Sequence, residues 1–255
     1  MITFKTPEDI EVMAVGGQKL AAVLAALRKE TKAGVVTKDL DTLAHDLIVA
    51  SDAKPAFLNY HPAGARNAYP WTLCISLNDV VVHGQPSGYV IKDGDLVKLD
   101  LGLKYQGWYL DAAITVGVGK ISKEAEKLMA ATKEALAAGV KAAKIGSTFG
   151  DLGFAIESVV RKYGFSVADD LIGHGIGRNL HEDPPVLNFG REGQGEPIEE
   201  GMVIAIEPMV VVGSPAVKTL KLDESFATRD GSLAAHFEHT VAITSAGPRI
   251  LTEIS

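Results

Sequence analysis

Val97-Lys98-Leu99-Asp100-Leu101-Gly102-Leu103-Lys104-Tyr105-Gln106-Gly107-Trp108-Tyr109-Leu110-Asp111-Ala112-Ala113-Ile114-Thr115-Val116 decides how the rest of the chain is read. Apolar residues alternate over 97–103 and again over 108–116. Lys104-Tyr105-Gln106-Gly107 between them carries turn chemistry, so the segment predicts a β-hairpin. Asp100 and Asp111 interrupt these apolar strands at equal distances from a turn centred between Tyr105 and Gln106. A simple hairpin then makes them direct cross-strand partners, with Cβ atoms about 4.5–5.5 Å apart. Two like charges facing each other on a half-buried strand pair are unfavourable. A divalent cation is the natural compensation; the alternatives are that one carboxylate faces water or that a bulge breaks the register.

The same anomaly recurs downstream. Glu207 stands in Met202-Val-Ile-Ala-Ile-Glu207-Pro208-Met-Val-Val-Val212, a strand pattern that Pro208 would interrupt. Glu238 stands in Ala235-His-Phe-Glu238-His-Thr-Val-Ala-Ile243. One acid in an apolar strand is ordinary, but four call for a common cause. His174, in Gly173-His174-Gly175-Ile176-Gly177, adds an imidazole where glycines let backbone approach closely. By itself such a histidine reads as a satisfied, hydrogen-bonded side chain; the four acids turn the reading toward a ligand. Four carboxylates and one imidazole form a hard-to-borderline donor set suited to Mn, Fe(II), Co or Zn. Two divalent ions would bring four negative ligands near neutrality, leaving room for a substrate ammonium group.

The rest of the chain frames this cluster. Thr6-Pro7-Glu8-Asp9 is a helix start, with a capping residue, a proline at the first turn and acids at the positive end of the dipole. Apolar periodicity carries that helix to about residue 29, and a second helix is expected over 37–51. Ser122 caps a third, and a fourth is expected over 149–162. Strands are expected at 80–82, 171–172, 202–206, 209–212 and 237–243. Lys32-Ala-Gly34-Val-Val-Thr-Lys-Asp39-Leu40 matches Lys144-Ile-Gly146-Ser-Thr-Phe-Gly-Asp151-Leu152 at one constant shift, each between two helices. That points to two related halves, with a site at their seam.

Composition limits the function classes. A chain of 255 residues with 47% hydrophobic residues can bury a sizeable core. A net charge of −7 argues against a phosphate-backbone binder, so no nucleic acid is expected as a partner. The single cysteine, Cys74, permits no intramolecular disulfide and makes a reducing compartment the default. No signal peptide is visible, and the longest apolar stretches, 20–27 and 202–206, fall short of a bilayer. The expectation is a soluble cytoplasmic protein with no membrane partner.

Read together, Cys74-Ile-Ser-Leu-Asn-Asp-Val-Val-Val-His83-Gly, Asp93-Gly-Asp-Leu-Val-Lys-Leu-Asp100, Gly173-His174-Gly-Ile-Gly-Arg-Asn-Leu-His181-Glu-Asp-Pro, Gly201-Met-Val-Ile-Ala-Ile-Glu207-Pro-Met and Gly231-Ser-Leu-Ala-Ala-His-Phe-Glu238-His-Thr resemble the type I methionine aminopeptidases, within the pita-bread metallopeptidases. The likeness runs nearly end to end. It implies an α+β pita-bread fold: a single catalytic domain over 1–255, in pseudo-symmetric halves of about 1–120 and 121–255, with a curved antiparallel sheet covered by helices. It also implies two divalent metal ions. Asp100 would chelate one, Asp111 and Glu238 would bridge both, and His174 and Glu207 would hold the other. A hydroxide bridging the ions would attack the first peptide carbonyl, with Glu207 as general base. His83 and His181 would contact substrate and stabilise the intermediate.

The implied activity is removal of the initiator methionine from nascent polypeptides whose second residue is small. The implied enzyme is a monomer, with ribosome association left open. Phe57, Tyr60, Tyr69 and Cys74 would line the methionine side-chain pocket, although ordinary core packing accounts for such aromatics equally well. Three departures bear on that pocket. About four residues are added within 62–68, Leu180 stands where the family commonly has Phe, and Glu224 falls at or near its usual Trp. Weaker selection for Met over Leu or norleucine is therefore expected. A proline-specific Xaa-Pro aminopeptidase or prolidase shares these ligands but usually carries an additional N-terminal domain. A non-catalytic peptide-binding relative would have lost ligands that this chain retains.

Overall fold

The structure is a computed structural model and describes residues 1–61, 67–220 and 224–254. Among the described residues there are four helices: α1 (Pro7–Glu30), α2 (Thr37–Ala50), α3 (Lys123–Ala142) and α4 (Phe149–Lys162). Their starts follow from local chemistry. The Thr6 hydroxyl accepts from the Asp9 N–H while the Asp9 carboxylate accepts from the Thr6 N–H, and Thr148 with Asp151 repeats this box at α4. Ser122 caps α3 through the Ala125 N–H. The first helices of the two halves are followed by helices of equal length, 14 residues each, that begin at the spacing of the sequence repeat. Even the isolated bridges before them, Val36 with Val90 and Thr148 with Pro197, fall at corresponding positions.

As a helix, α1 is longer and more apolar than the short runs within it suggest. Its 24 residues reach a mean hydropathy of 1.5 over an 18-residue window, enough by length and composition to cross a membrane. Here it is a core helix, with Leu20, Leu24 and Leu27 fully buried and its contacts made to the Leu96–Tyr105 and Trp108–Gly117 strands.

The hairpin forms, with strands Leu96–Tyr105 and Trp108–Gly117, but in a different register from the one expected. Tyr105 pairs with Trp108, so the turn is Gln106-Gly107, at φ 46° and 87°. Positive φ at both positions is the type I′ geometry whose twist matches that of the strands, and glycine accepts it without strain. Asp100 therefore faces Ala113, and Asp111 faces Gly102. The two aspartates are diagonal neighbours rather than direct partners, and the two-residue correction keeps both on one face.

In the second half, a five-stranded antiparallel sheet runs in the order Gly247–Ile250, His239–Thr244, Val203–Ile206, Gly173–Gly175, Glu182–Val186. The strand expected at 171–172 is instead Gly173–Gly175, centred on His174. A Cβ at Gly173 would collide with the Ala205 carbonyl oxygen, so glycine is what admits the neighbouring strand there. A smaller sheet orders Ala234–His236, Met209–Val211 and Ser166–Val167.

The halves join along the second hairpin strand. Ala113 and Glu238 exchange both backbone hydrogen bonds. On either side, threonine hydroxyls take over. Thr240 Oγ1 accepts from the Asp111 N–H and donates to the Asp111 carbonyl, and Thr115 Oγ1 does the same with His236.

Candidate metal centre

These registers set the expected ligands in two adjacent rows on one sheet face. Ile206 pairs with His239 and Met209 with His236, so Glu207 lies opposite Glu238 where both strands break. One row is then Asp100, Ala113, Glu238 and Glu207. The next is Asp111, Thr240, Ala205 and His174, because Ala205 pairs with both Thr240 and His174. Positions two residues apart on a strand share a face, so all five side chains converge, three of them from the second half and two from the first.

The carboxylates are buried: Asp100 is 8% exposed, Asp111 4%, Glu207 8% and Glu238 3%. Desolvation, reinforced for Asp111, Glu207 and Glu238 by the neighbouring acids, pushes all four pKa values up, that of Asp100 to about 7. Among the described residues, Asp111 Oδ1 and Glu238 Oε1 have no hydrogen-bond partner. Four crowded, desolvated carboxylates with orphaned oxygens fit divalent cations and little else. Ligand atoms of Asp111, His174 and Glu238 lie within 4.8 Å of one another, as do those of Glu207, His236 and Glu238, so Glu238 belongs to both groups.

His174 is prepared as a donor. Its Nδ1 lies 2.8 Å from the Gly175 carbonyl oxygen, which can only accept, so Nδ1 carries the proton and Nε2 keeps its lone pair. That Nε2 is 3.7 Å from Glu207 Oε1. Burial, then the nearby His181, lowers the His174 pKa to about 3, so the ring is neutral.

His83 and His181 flank this cluster. The His181 ring packs edge-on against His174 with centroids 4.4 Å apart. His83 adopts a left-handed backbone, φ 62°, and its ring meets Phe226 edge-on at 5.6 Å. Both histidines are solvent-accessible yet surrounded by protein, and desolvation lowers their pKa values.

The expected pocket residues divide. Tyr60 Oη is 2.7 Å from His181 Nδ1, so this tyrosine reaches the outer histidine directly. Tyr69 donates its hydroxyl between the Leu73 and Gly84 carbonyls, 3.1 and 2.9 Å away. Cys74 pairs with Asp100 across neighbouring strands, and Phe57 packs over Gly102. Leu180 is buried in the main core at 2% exposure. The addition of about four residues expected within 62–68 falls largely on residues 62–66, which lie outside the described residues.

His236 was not among the residues singled out from sequence. It is 1% exposed, and its Nε2 lies 3.6 Å from Glu207 Oε2 and 3.8 Å from Glu238 Oε2. The signal was available, because a residue two before Glu238 on the same strand must share its face.

A two-row carboxylate–imidazole cluster where the first hairpin meets the downstream strands has the donor set of a metal centre. A model of metallopeptidase family M24 matches residues 11–245. Methionine aminopeptidase from Clostridium perfringens is 44% identical over 100% of both chains, and that from Clostridium acetobutylicum is 45% identical over 99% of each. The crystal structure of methionine aminopeptidase from Rickettsia prowazekii superposes with a TM-score of 0.95 at 37% identity, covering 99% of this chain and 100% of that one. Prolidase from Pyrococcus furiosus gives a TM-score of 0.79 at 25% identity, and the match covers 99% of this chain but 66% of that one. The chain belongs to metallopeptidase family M24, and within it to the methionine aminopeptidases.

Proposed function

We propose that this chain is a cytoplasmic, monomeric metallo-exopeptidase, one catalytic domain that releases initiator methionine from nascent polypeptides when the second residue is small. The observation that carries the reading is the convergence of Asp100, Asp111, His174, Glu207 and Glu238 on one face. Identities of 44–45% to methionine aminopeptidases, against 25% to the prolidase, favour methionine over Xaa-Pro substrates.

In this reading the five side chains hold two divalent ions of the Mn, Fe(II), Co or Zn class. Such ions supply Lewis acidity at the scissile carbonyl and acidify water to near neutral pH. Glu207, buried and desolvated beside Glu238 in this cluster, would take the proton of the attacking water and return it to the departing amine. Tyr60 and His181 form the next element. Burial raises the Tyr60 pKa, so its phenol stays protonated, and in this reading it donates to His181 Nδ1, 2.7 Å away. The neutral His181 then carries its proton on Nε2, free to donate to the developing oxyanion. Such a donor is worth about 3–4 kcal/mol of transition-state stabilisation in other enzymes. His83 holds the peptide beside it.

Met-Ala-Ser and Met-Lys-Ser, assayed with Co or Mn, test the reading. Methionine is released from the first and at least about 100-fold more slowly from the second; no release from Met-Ala-Ser would sink the proposal. The pocket departures predict a further outcome. The ratio of kcat/KM for Met over Leu at the first position falls below that of a relative with Phe at the Leu180 position, within the roughly 10- to 200-fold range that small apolar differences allow. Equal ratios would remove that expectation.

A further inference from the structure

We infer that His236 is an additional metal ligand, binding through Nε2 the ion that Glu207 and Glu238 share. The inference rests on the metal-centre reading above and adds a second imidazole to the expected one. The register places it. Thr115 faces His236 across the seam, and Lys98 faces Thr115, so His236 sits in the row next to that of Glu238 and Glu207, on the same face.

Its backbone is fixed there, because the Thr115 hydroxyl engages both the His236 N–H, at 2.9 Å, and its carbonyl, at 2.7 Å. The ring is 1% exposed, and among the described residues neither ring nitrogen has a hydrogen-bond partner. A buried imidazole with two unsatisfied nitrogens is costly unless something is to be bound.

The distances choose the ligand. Nε2 stands 3.6 Å from Glu207 Oε2 and 3.8 Å from Glu238 Oε2, too far for hydrogen bonds. Two ligand atoms each about 2.1 Å from one ion stand about 3.4 Å apart at a tetrahedral angle, and further apart at wider angles. His174 Nε2, the imidazole already expected to ligate, is 3.7 Å from Glu207 Oε1. The two histidines thus flank the two oxygens of one carboxylate at matching spacing.

The test is proton NMR of the Co(II)-loaded full-length protein, with bound metal counted by elemental analysis. A histidine bonded to Co(II) through Nε2 shows one exchangeable, strongly shifted ring N–H resonance. Two such resonances are expected. His236→Gln should remove one and weaken binding of one ion at least tenfold by titration calorimetry, and His174→Gln should remove the other. A single resonance with two ions bound, lost only in His174→Gln, would overturn the assignment and make His236 a positioning residue for Glu207. The wild-type count decides even where a variant fails to fold. Failure of the broader reading is a different result: no bound Co(II) and no release of methionine from Met-Ala-Ser.

Discussion

Asp111→Asn ends peptide hydrolysis, lowering kcat/KM by more than about 10³-fold, yet its metal-free form unfolds at a higher temperature than the metal-free parent. Both results come from the same carboxylate. Asp111 lies at the seam, 4% exposed, with one oxygen lacking a partner among the described residues. Its ligand atom groups with those of His174 and Glu238, so an amide there would deprive the proposed metal site of an anionic donor. Losing the ions removes the Lewis acidity on which the proposed chemistry depends, and the effect falls on kcat and metal content together. Without metal the balance reverses. Burial and the nearby Asp100 oppose ionisation of Asp111, so the apoprotein holds either a desolvated charge or a bound proton. Asn is nearly isosteric and uncharged. At roughly 2–4 °C per kcal/mol for a chain of this size, relief of even one kcal/mol is measurable by calorimetry. An apo variant less stable than the apo parent would contradict the account.

Chelation lowers the melting temperature of the wild-type protein by about 8–16 °C relative to protein saturated with Mn or Co. An ion present at about 1,000 times its Kd stabilises the folded state by about 4 kcal/mol, and the same conversion turns this into degrees. The source is the four-carboxylate cluster, whose repulsion and desolvation are met only by cations. Scans with and without chelator, followed by restoration of metal, check it. An unchanged melting temperature would mean that the cluster holds no ion. The His236→Gln variant should show a smaller difference than wild type, because one of its ions binds more weakly.

Much of this site could be read from sequence because its residues violate their local pattern. An acid in an apolar strand is conspicuous whatever the tertiary structure, so Asp100, Asp111, Glu207 and Glu238 stood out one by one. Pro208 marked a break that the structure places between Ile206 and Met209. Helix α4 was legible to the residue, its Thr148 and Asp151 box closing a start that periodicity already suggested. The hairpin register was not. A turn centred at 105–106 and one at 106–107 fit the alternation equally well, and only the left-handed geometry of Gln106 and Gly107 separates them. The shift of two in pairing preserved which face each aspartate occupies, so the conclusion about a shared site survived the wrong partner. His236 escaped because an uncharged histidine among apolar residues breaks the pattern less than an acid does. Tyr60 was named from sequence, but its polar contact was not. As an aromatic it suggested a hydrophobic wall, whereas its hydroxyl reaches His181, a pairing across 121 residues that no local rule contains.

The threonine clasps at the seam also govern when the protein can begin to work. Thr240 holds Asp111 across 129 positions of chain, and Thr115 holds His236 across 121. Contacts so distant in sequence close late, because the intervening loop must first be brought together. During vectorial synthesis the hairpin bearing Asp100 and Asp111 emerges first and waits, with two of the five proposed ligands, for more than a hundred further residues. On the proposed function, a protein that trims the first residue of other chains would therefore be inert throughout most of its own translation, and would become competent only when nearly its last strand has docked.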